Sequence, residues 1–311
     1  MVSRTIGGRS VAVYLQHFGL SQAPFSLTPN TGLYQALLPH DEAIQVLQTA
    51  LQSGEGFIKV CGEVGTGKTL LCRKLLNEMA EQYQFAYLPN PCLSAQQIHA
   101  ALASELGLRV EEGSSAHTLL EQINRRLIEF ASQQRPVVLL IDEAQALSDE
   151  ALEVVRLLGN LETEQRKLLH VVLFAQPELD QRLASQQLRQ LRQRITFSYQ
   201  LRALEKQEVA SYIQHRLHLS GYRGGPLFNA ASLKLLTKAS RGIPRLINIL
   251  SHKVLMLCYG QGASQITVKM VKQAIIDTED AVMPKSKSAY LFGLLLGLLV
   301  LAIGVYWSQQ Q

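Results

Sequence analysis

Lys68 and Thr69 close an eight-residue run, Gly62-Glu63-Val64-Gly65-Thr66-Gly67-Lys68-Thr69, in which three glycines lead to a cation and a hydroxyl. The pattern G-x-x-x-x-G-K-T suits a loop whose backbone N–H groups wrap a polyphosphate. Gly62, Gly65 and Gly67 permit the backbone conformations such a wrap requires. Lys68 is expected to reach the β- and γ-phosphates, and Thr69 to hold Mg²⁺. The segment from Gly62 through Leu70 is therefore the candidate nucleotide-binding stretch, with Glu63, Val64 and Thr66 filling the variable positions. A second chemical pair lies downstream. Asp142-Glu143 follows the apolar run Val137-Val138-Leu139-Leu140-Ile141. Asp142 is placed to support the Mg²⁺ shell, and Glu143 to polarise the attacking water as general base. Together the two motifs predict a nucleoside triphosphatase that uses ATP and Mg²⁺.

These residues need elements to hold them. Phe57-Ile58-Lys59-Val60-Cys61 reads as a strand entering the loop, and Leu70 to Leu76 has helical spacing after it. Strand, turn and helix start together bring the helix dipole to the phosphates. Val137 to Ile141 predicts a strand buried on both faces, and acidic residues at the carboxyl end of such a strand sit where open α/β sheets bind ligands. Phe85 to Leu88, Leu168 to Phe174 and Ile195 to Tyr199 complete five expected strands. Helices are predicted from Glu42 to Gln52 with Asp41 as its cap, from Ser94, over His117 to Gln134, and from Asp149 to Gly159. Alternating strands and helices imply a parallel three-layer α/β sheet. Past residue 200 only helices fit: 205–220, 229–239, 244–259 and 268–279. They predict a small all-α lid. The aromatic, turn-rich segment from Tyr14 to Pro39 reads as irregular. It either packs beside the nucleotide base or straps over the core.

The chain has 311 residues and a net charge of +5. From Gln181 to Lys206 six basic side chains face one acidic one, so that stretch alone accounts for the surplus. The basic character is thus local. Cys61, Cys72, Cys92 and Cys258 show no metal-ligand spacing and are expected to be reduced thiols. No secretory signal is expected at the N-terminus. Ala289 to Trp307 contains nineteen residues without a charge. As a helix it would be about 28 Å long, enough to cross a hydrocarbon core. Tyr290, Tyr306 and Trp307 would anchor its ends, and Lys285 and Lys287 before it place the large N-terminal part in the cytoplasm. The expected organisation is an N-terminal extension (1–13), a nucleotide-binding α/β domain (14–200), the lid (201–282), a linker (283–288), a transmembrane helix (289–307) and a short tail (308–311).

Longer motifs carry a family resemblance. They are Tyr14-Leu15-x-His17-Phe18-Gly19-Leu20 with Phe25-Ser26-Leu27-Thr28-Pro29-Asn30, and Leu139-Leu140-Ile141-Asp142-Glu143-Ala144-Gln145. Further on come Leu157-Leu158-Gly159-Asn160-Leu161-Glu162-Thr163, Leu173-Phe174-Ala175-Gln176-Pro177-Glu178-Leu179 and Arg241-Gly242-Ile243-Pro244-Arg245. With these the chain resembles AAA+ ATPases, and among them the ExeA/GspA-type secretion ATPases, most nearly those of MSHA pilus biogenesis. The resemblance implies that Gln176 is a sensor contacting the γ-phosphate or the water, although Ala175 stands where a glycine is usual. It implies that Arg245 is a lid arginine reading the γ-phosphate. Arg194, with Arg192 second, matches the region of an arginine finger, which acts on a neighbouring subunit and so requires a homo-oligomer. The implied function is a single-pass inner-membrane ATPase that drives or regulates assembly of a type IV pilus or type II secretion apparatus, with inner-membrane assembly proteins as partners. The larger relatives continue into a peptidoglycan-binding domain, whereas only four residues follow Trp307 here. Two alternatives stand beside this. The same fold resembles origin-recognition and transposition-targeting ATPases, and the arginine patch favours DNA, but the terminal helix argues against nucleic acid as the partner. A small-molecule kinase would need an acceptor pocket that no residues specify.

Overall fold

The computed structural model of the chain describes residues 14–26, 37–89, 93–111, 113, 115–164 and 166–284. Five strands form one sheet: β1 (Phe57–Gly62), β2 (Gln84–Leu88), β3 (Val137–Ile141), β4 (Leu169–Ala175) and β5 (Phe197–Leu201). Their order is β2-β3-β4-β1-β5, and every pairing is parallel. Strand alternation distributes the core to two faces. Val137, Leu139, Ile141, Leu169, Val171 and Leu173 point one way, under α4 (Ala95–Glu105), α5 (Ala116–Ser132) and α6 (Asp149–Leu158). Ile58, Val60, Val138, Leu140, Val172 and Phe174 point the other way, under α2 (Leu38–Gln52) and α3 (Lys68–Met79). All five residues of β3 and all seven of β4 are buried, which is why these central strands read as unbroken apolar runs. β5 pairs only with β1, at the sheet edge, and its burial alternates.

Sequence signals for the helix starts are mostly met by side-chain caps. Ser94 and Gln97 form a capping box on α4, and Ser115 and Ser148 cap α5 and α6. The expected cap at Asp41 is a correction. α2 begins at Leu38 with Pro39 in its first turn, and Asp41 lies inside the helix, paired with Lys74 of α3 at 2.6 Å. Proline at a helix start loses no intrahelical bond, so the helix gains a turn from residues that read as irregular. Two short helices that the periodicity did not predict, α7 (Pro177–Leu183) and α8 (Arg189–Arg194), link β4 to β5. β5 also lies two residues beyond its expected position.

The helices α9 (Lys206–Leu219), α10 (Ala230–Ser240), α11 (Pro244–Gly260) and α12 (Val268–Ile276) have a core of their own, with Val209, Leu236, Ile247, Leu250 and Val254 fully buried. Tyr14, Phe18, Leu20 and Phe25 from the N-terminal strap, which holds the short α1 (Leu15–Phe18), bury their side chains in that same core. The Tyr14 hydroxyl meets His252 Nδ1 at 2.8 Å. Arg216 Nε donates to the Pro24 carbonyl at 2.6 Å and its Nη1 to Tyr212 Oη at 2.7 Å, while Tyr212 donates to Asn248 at 3.0 Å. The described part of the strap therefore joins the helical core. Cys61, Cys72 and Cys258 are buried free thiols, and Cys92 lies outside the described residues. Among the described residues no helix is long and apolar enough to cross a membrane. The expected spanning segment, 289–307, lies outside them, as do the extension 1–13 and the tail.

Candidate active site

Parallel pairing brings the chemically expected residues to one edge. Leu173 lies opposite both Lys59 and Ile141, so the strand ends at Cys61-Gly62, Asp142-Glu143 and Ala175-Gln176 emerge at one level. β1 runs into the glycine loop, and α3 starts at Lys68 immediately after it. Gly67 caps that helix in a left-handed conformation, φ 100°. A side chain at Gly65 would place its Cβ 2.5 Å from Cβ of Arg245, so the glycine is required for the start of α11 to approach. The Arg245 backbone N–H donates to the Gly65 carbonyl at 3.2 Å. The first turn of α11 is thus seated on the phosphate loop with the Arg245 side chain exposed. Gly242 makes this possible: a Cβ there would stand 2.0 Å from the Leu204 carbonyl oxygen.

Within the loop, Lys68 is nearly buried and its Nζ donates to the carbonyls of Gly62 at 2.7 Å and Glu63 at 3.1 Å. Burial lowers its pKa, while Glu143 and Asp142 counteract that. The Thr66 hydroxyl donates to the Glu63 carbonyl at 2.8 Å, and Val64 at the loop tip is exposed. Leu70, half-buried, stands in the first turn of α3, whose N–H groups have no partner inside the helix. Thr69 donates to Asp142 Oδ2 at 2.7 Å. The Asp142 carboxyl is pushed above the usual range by burial, though Thr69 and the Glu143 N–H hold it down. A hydroxyl and a carboxylate in contact suit a hard, oxygen-seeking cation. Among the described residues no cluster of three or more His, Cys, Asp or Glu forms a metal site. Mg²⁺ fits that pattern, since it takes one or two protein ligands and completes its shell with phosphate oxygens and water.

Glu143 Oε2 accepts from Gln176 Nε2 at 2.8 Å, and also from Gln145 Nε2. Gln176 is thereby brought to Glu143 across the β3–β4 pair. Arg192 and Arg194 do not join this group; both are exposed on α8.

Two residues were not singled out from the sequence. Gln145 is half-buried and touches both Glu143 and Gln176. His40, 2% exposed, sits behind the loop with Nε2 2.9 Å from the Thr66 carbonyl and packs against Gly67. That distance makes Nε2 the protonated nitrogen. Nothing near His40 in sequence announces this contact, although a histidine in the first turn of an otherwise apolar helix face was a signal.

Burial lowers the pKa of His40, and likewise of His170, whose Nδ1 meets the Glu55 carbonyl at 2.7 Å. Both stay neutral in the folded chain where the unfolded chain takes up protons, near pH 6.5. Stability is therefore full above that pH and falls as pH drops through it, by at most about 1.4 kcal/mol per unit for each histidine. The raised Asp142 opposes this in its own range. Urea midpoints at pH 7.5, 6.5 and 5.5 are expected to decline, and H40Q/H170Q to flatten the decline. A midpoint constant down to pH 5.5 contradicts it.

Comparison with known proteins follows the same lines. Residues 51–183 match the AAA domain family. The chain is 38% identical over 298 residues to General secretion pathway protein A of Aeromonas hydrophila, covering 96% of this chain and 54% of that protein. It thus spans about half the length of that relative. Among solved structures, Cdc6p from Pyrobaculum aerophilum superposes with a TM-score of 0.62 at 16% identity, over 86% of this chain and 73% of that one. The Drosophila ORC bound to DNA gives a TM-score of 0.62 at 19% identity, over 88% and 68%. At those identities the two structures speak for the fold alone.

Proposed function

We propose that the chain is a P-loop nucleoside triphosphatase that couples ATP hydrolysis to the assembly or operation of a secretion or pilus apparatus at a membrane, a reading supported by the match to the AAA domain family at residues 51–183. The observation carrying the chemistry is the meeting of Lys68, Thr69, Asp142, Glu143 and Gln176 at one sheet edge. In this proposal the loop from Gly62 to Leu70 holds the phosphates. Thr69 and Asp142 would hold Mg²⁺, whose positive charge would offset the negative charge of the phosphates. Glu143 takes the proton from water, and Gln176 keeps Glu143 oriented. Arg245, on the lid helix seated against Gly65, reads the γ-phosphate. That contact gives hydrolysis a route to lid movement, and the strap packed into the lid moves with it.

What supports a secretion role is the 38% identity to General secretion pathway protein A, sustained over 96% of this chain. The type IV pilus is the finer version of that role. Anchoring rests on the apolar segment 289–307, and oligomer formation on Arg192 and Arg194, both exposed on α8. The test traps the ATP-bound form. Full-length Glu143→Gln protein is purified from detergent-solubilised membranes with ATP and Mg²⁺, and its co-purifying proteins are identified. Inner-membrane secretion or pilus components are expected, and they should be absent with Lys68→Ala. Recovery of DNA-processing proteins from the soluble fraction instead would replace this role with the nucleic-acid alternative.

A further inference from the structure

Glu143 has a backbone conformation that few residues of its kind adopt. Its φ is 55°, in the left-handed region, at the start of a short 3₁₀ turn over Ala144–Ala146. Such a conformation disfavours a non-glycine residue and persists only where the surroundings fix it. The fixing contacts converge on Gln145. Its Nε2 donates to Glu143 Oε2, and its Oε1 accepts from the Gln176 backbone N–H at 3.0 Å. One side chain thus joins the carboxylate of the general base to the main chain that carries Gln176. The turn bearing Gln145 is itself held: Arg182 Nη1 donates to the Gln145 carbonyl at 2.8 Å, and Arg182 is ion-paired with Asp149. Arg182 lies on α7, which begins at Pro177 directly after Gln176, and Asp149 begins α6. With the Gln176–Glu143 bond, the segments after β3 and β4 are therefore bolted together at four points.

Both amide donors, from Gln145 and Gln176, go to the same carboxylate oxygen, Oε2. The described contacts leave Oε1 to accept from a water molecule. We propose that Gln145 is a positioning residue for hydrolysis, which acts through Glu143 by holding Oε2 so that Oε1 faces the water, and by holding Gln176 in step with it. The amide is required because a single group must donate on one side and accept on the other. The proposal rests on Glu143 being the base, and the test separates the two.

Steady-state ATP hydrolysis is measured on the full chain for wild type, Gln145→Met and Arg182→Met, with ATP affinity followed by a fluorescent analogue. Gln145→Met keeps the side chain's length and removes both hydrogen bonds. Its kcat is expected to fall about 10- to 100-fold, the scale of a misplaced catalytic group, with KM for ATP changed by less than about twofold because no phosphate contact is lost. Arg182→Met leaves the Gln145 side chain in place but loosens its turn, and a smaller fall of the same kind is expected. In single-turnover assays on the Glu143→Gln background, Gln145→Met is expected to add almost nothing, since residues acting as a unit are not additive. Wild-type kcat in Gln145→Met, or an undiminished fall on the Glu143→Gln background, overturns the positioning role while leaving Glu143 as base. A full rate with Glu143→Gln overturns the base and this role with it.

Discussion

Glu143→Gln is expected to lower kcat for ATP hydrolysis by about 10²- to 10⁴-fold, the contribution of a well-placed general base, with ATP affinity little changed. The substitution keeps the length and one oxygen of the side chain. That oxygen still accepts from Gln176 and Gln145, so the turn at residue 143 and its left-handed backbone have their supports. Lys68 and the Thr69–Asp142 pair, to which the proposed function assigns phosphate and cation binding, are untouched. What is lost is the second lone-pair-bearing oxygen that takes the proton from water: it becomes an amide that donates. Binding and chemistry should therefore separate cleanly, with a near-normal Kd from a fluorescent ATP analogue and almost no phosphate release. A variant that hydrolyses ATP at the wild-type rate would falsify the assignment of the base. A variant that no longer binds would mean that Glu143 holds the loop rather than the water.

Why this site was legible, and its surroundings less so, follows from distance along the chain. The phosphate loop is contiguous: Gly62 through Thr69 specify their own turn, and the strand before and helix after are adjacent. Asp142-Glu143 is equally local, fixed to a strand that is apolar throughout because helices cover both of its faces. Gln176 was implied only by the family resemblance, through the motif that ends β4, and the parallel pairing of β3 with β4 places it beside Glu143. Gln145 and His40 were not read from the sequence. Gln145 folds back onto Glu143 only because residue 143 is left-handed, and no propensity announces that conformation for a glutamate. His40 meets Thr66 across 26 positions, a contact set by how α2 packs on α3. The same packing explains Asp41. A cap and a first-turn acid look alike in sequence, and the Lys74 partner that decides between them is 33 residues away. The strap's place in the lid core was equally hidden, because Tyr14, Phe18 and Phe25 are buried by helices that begin nearly 200 residues later. β5 was displaced because an edge strand with one face half-covered alternates weakly, and Ile195 resembled a core position.

Lys68→Ala is expected to weaken ATP binding by about 100-fold or more. Charge-assisted hydrogen bonds contribute about 1.5–3 kcal/mol each, and Lys68 is the buried cation at the base of the loop, bonded to the Gly62 and Glu63 carbonyls. Those two bonds span the loop and keep the ammonium at its centre, where the β- and γ-phosphates would come to lie. Removing the side chain also takes away a buried, desolvated charge whose pKa burial has already lowered. Loss of the two loop bonds and relief of that burial act in opposite directions on the apo protein, so its melting temperature should move by only a few degrees, within what about 1 kcal/mol produces. The stabilisation by ATP is a different matter. A ligand at 100 times its Kd raises stability by about 2.7 kcal/mol, and after a 100-fold loss of affinity the same ATP concentration supplies about 0.4 kcal/mol. The distinguishing measurement is therefore the ATP-induced shift in melting temperature, large for wild type and Glu143→Gln and nearly absent for Lys68→Ala. If Lys68→Ala retains the wild-type shift, phosphate binding at Gly62–Thr69 does not depend on the lysine, and the loop holds its ligand through backbone N–H groups alone.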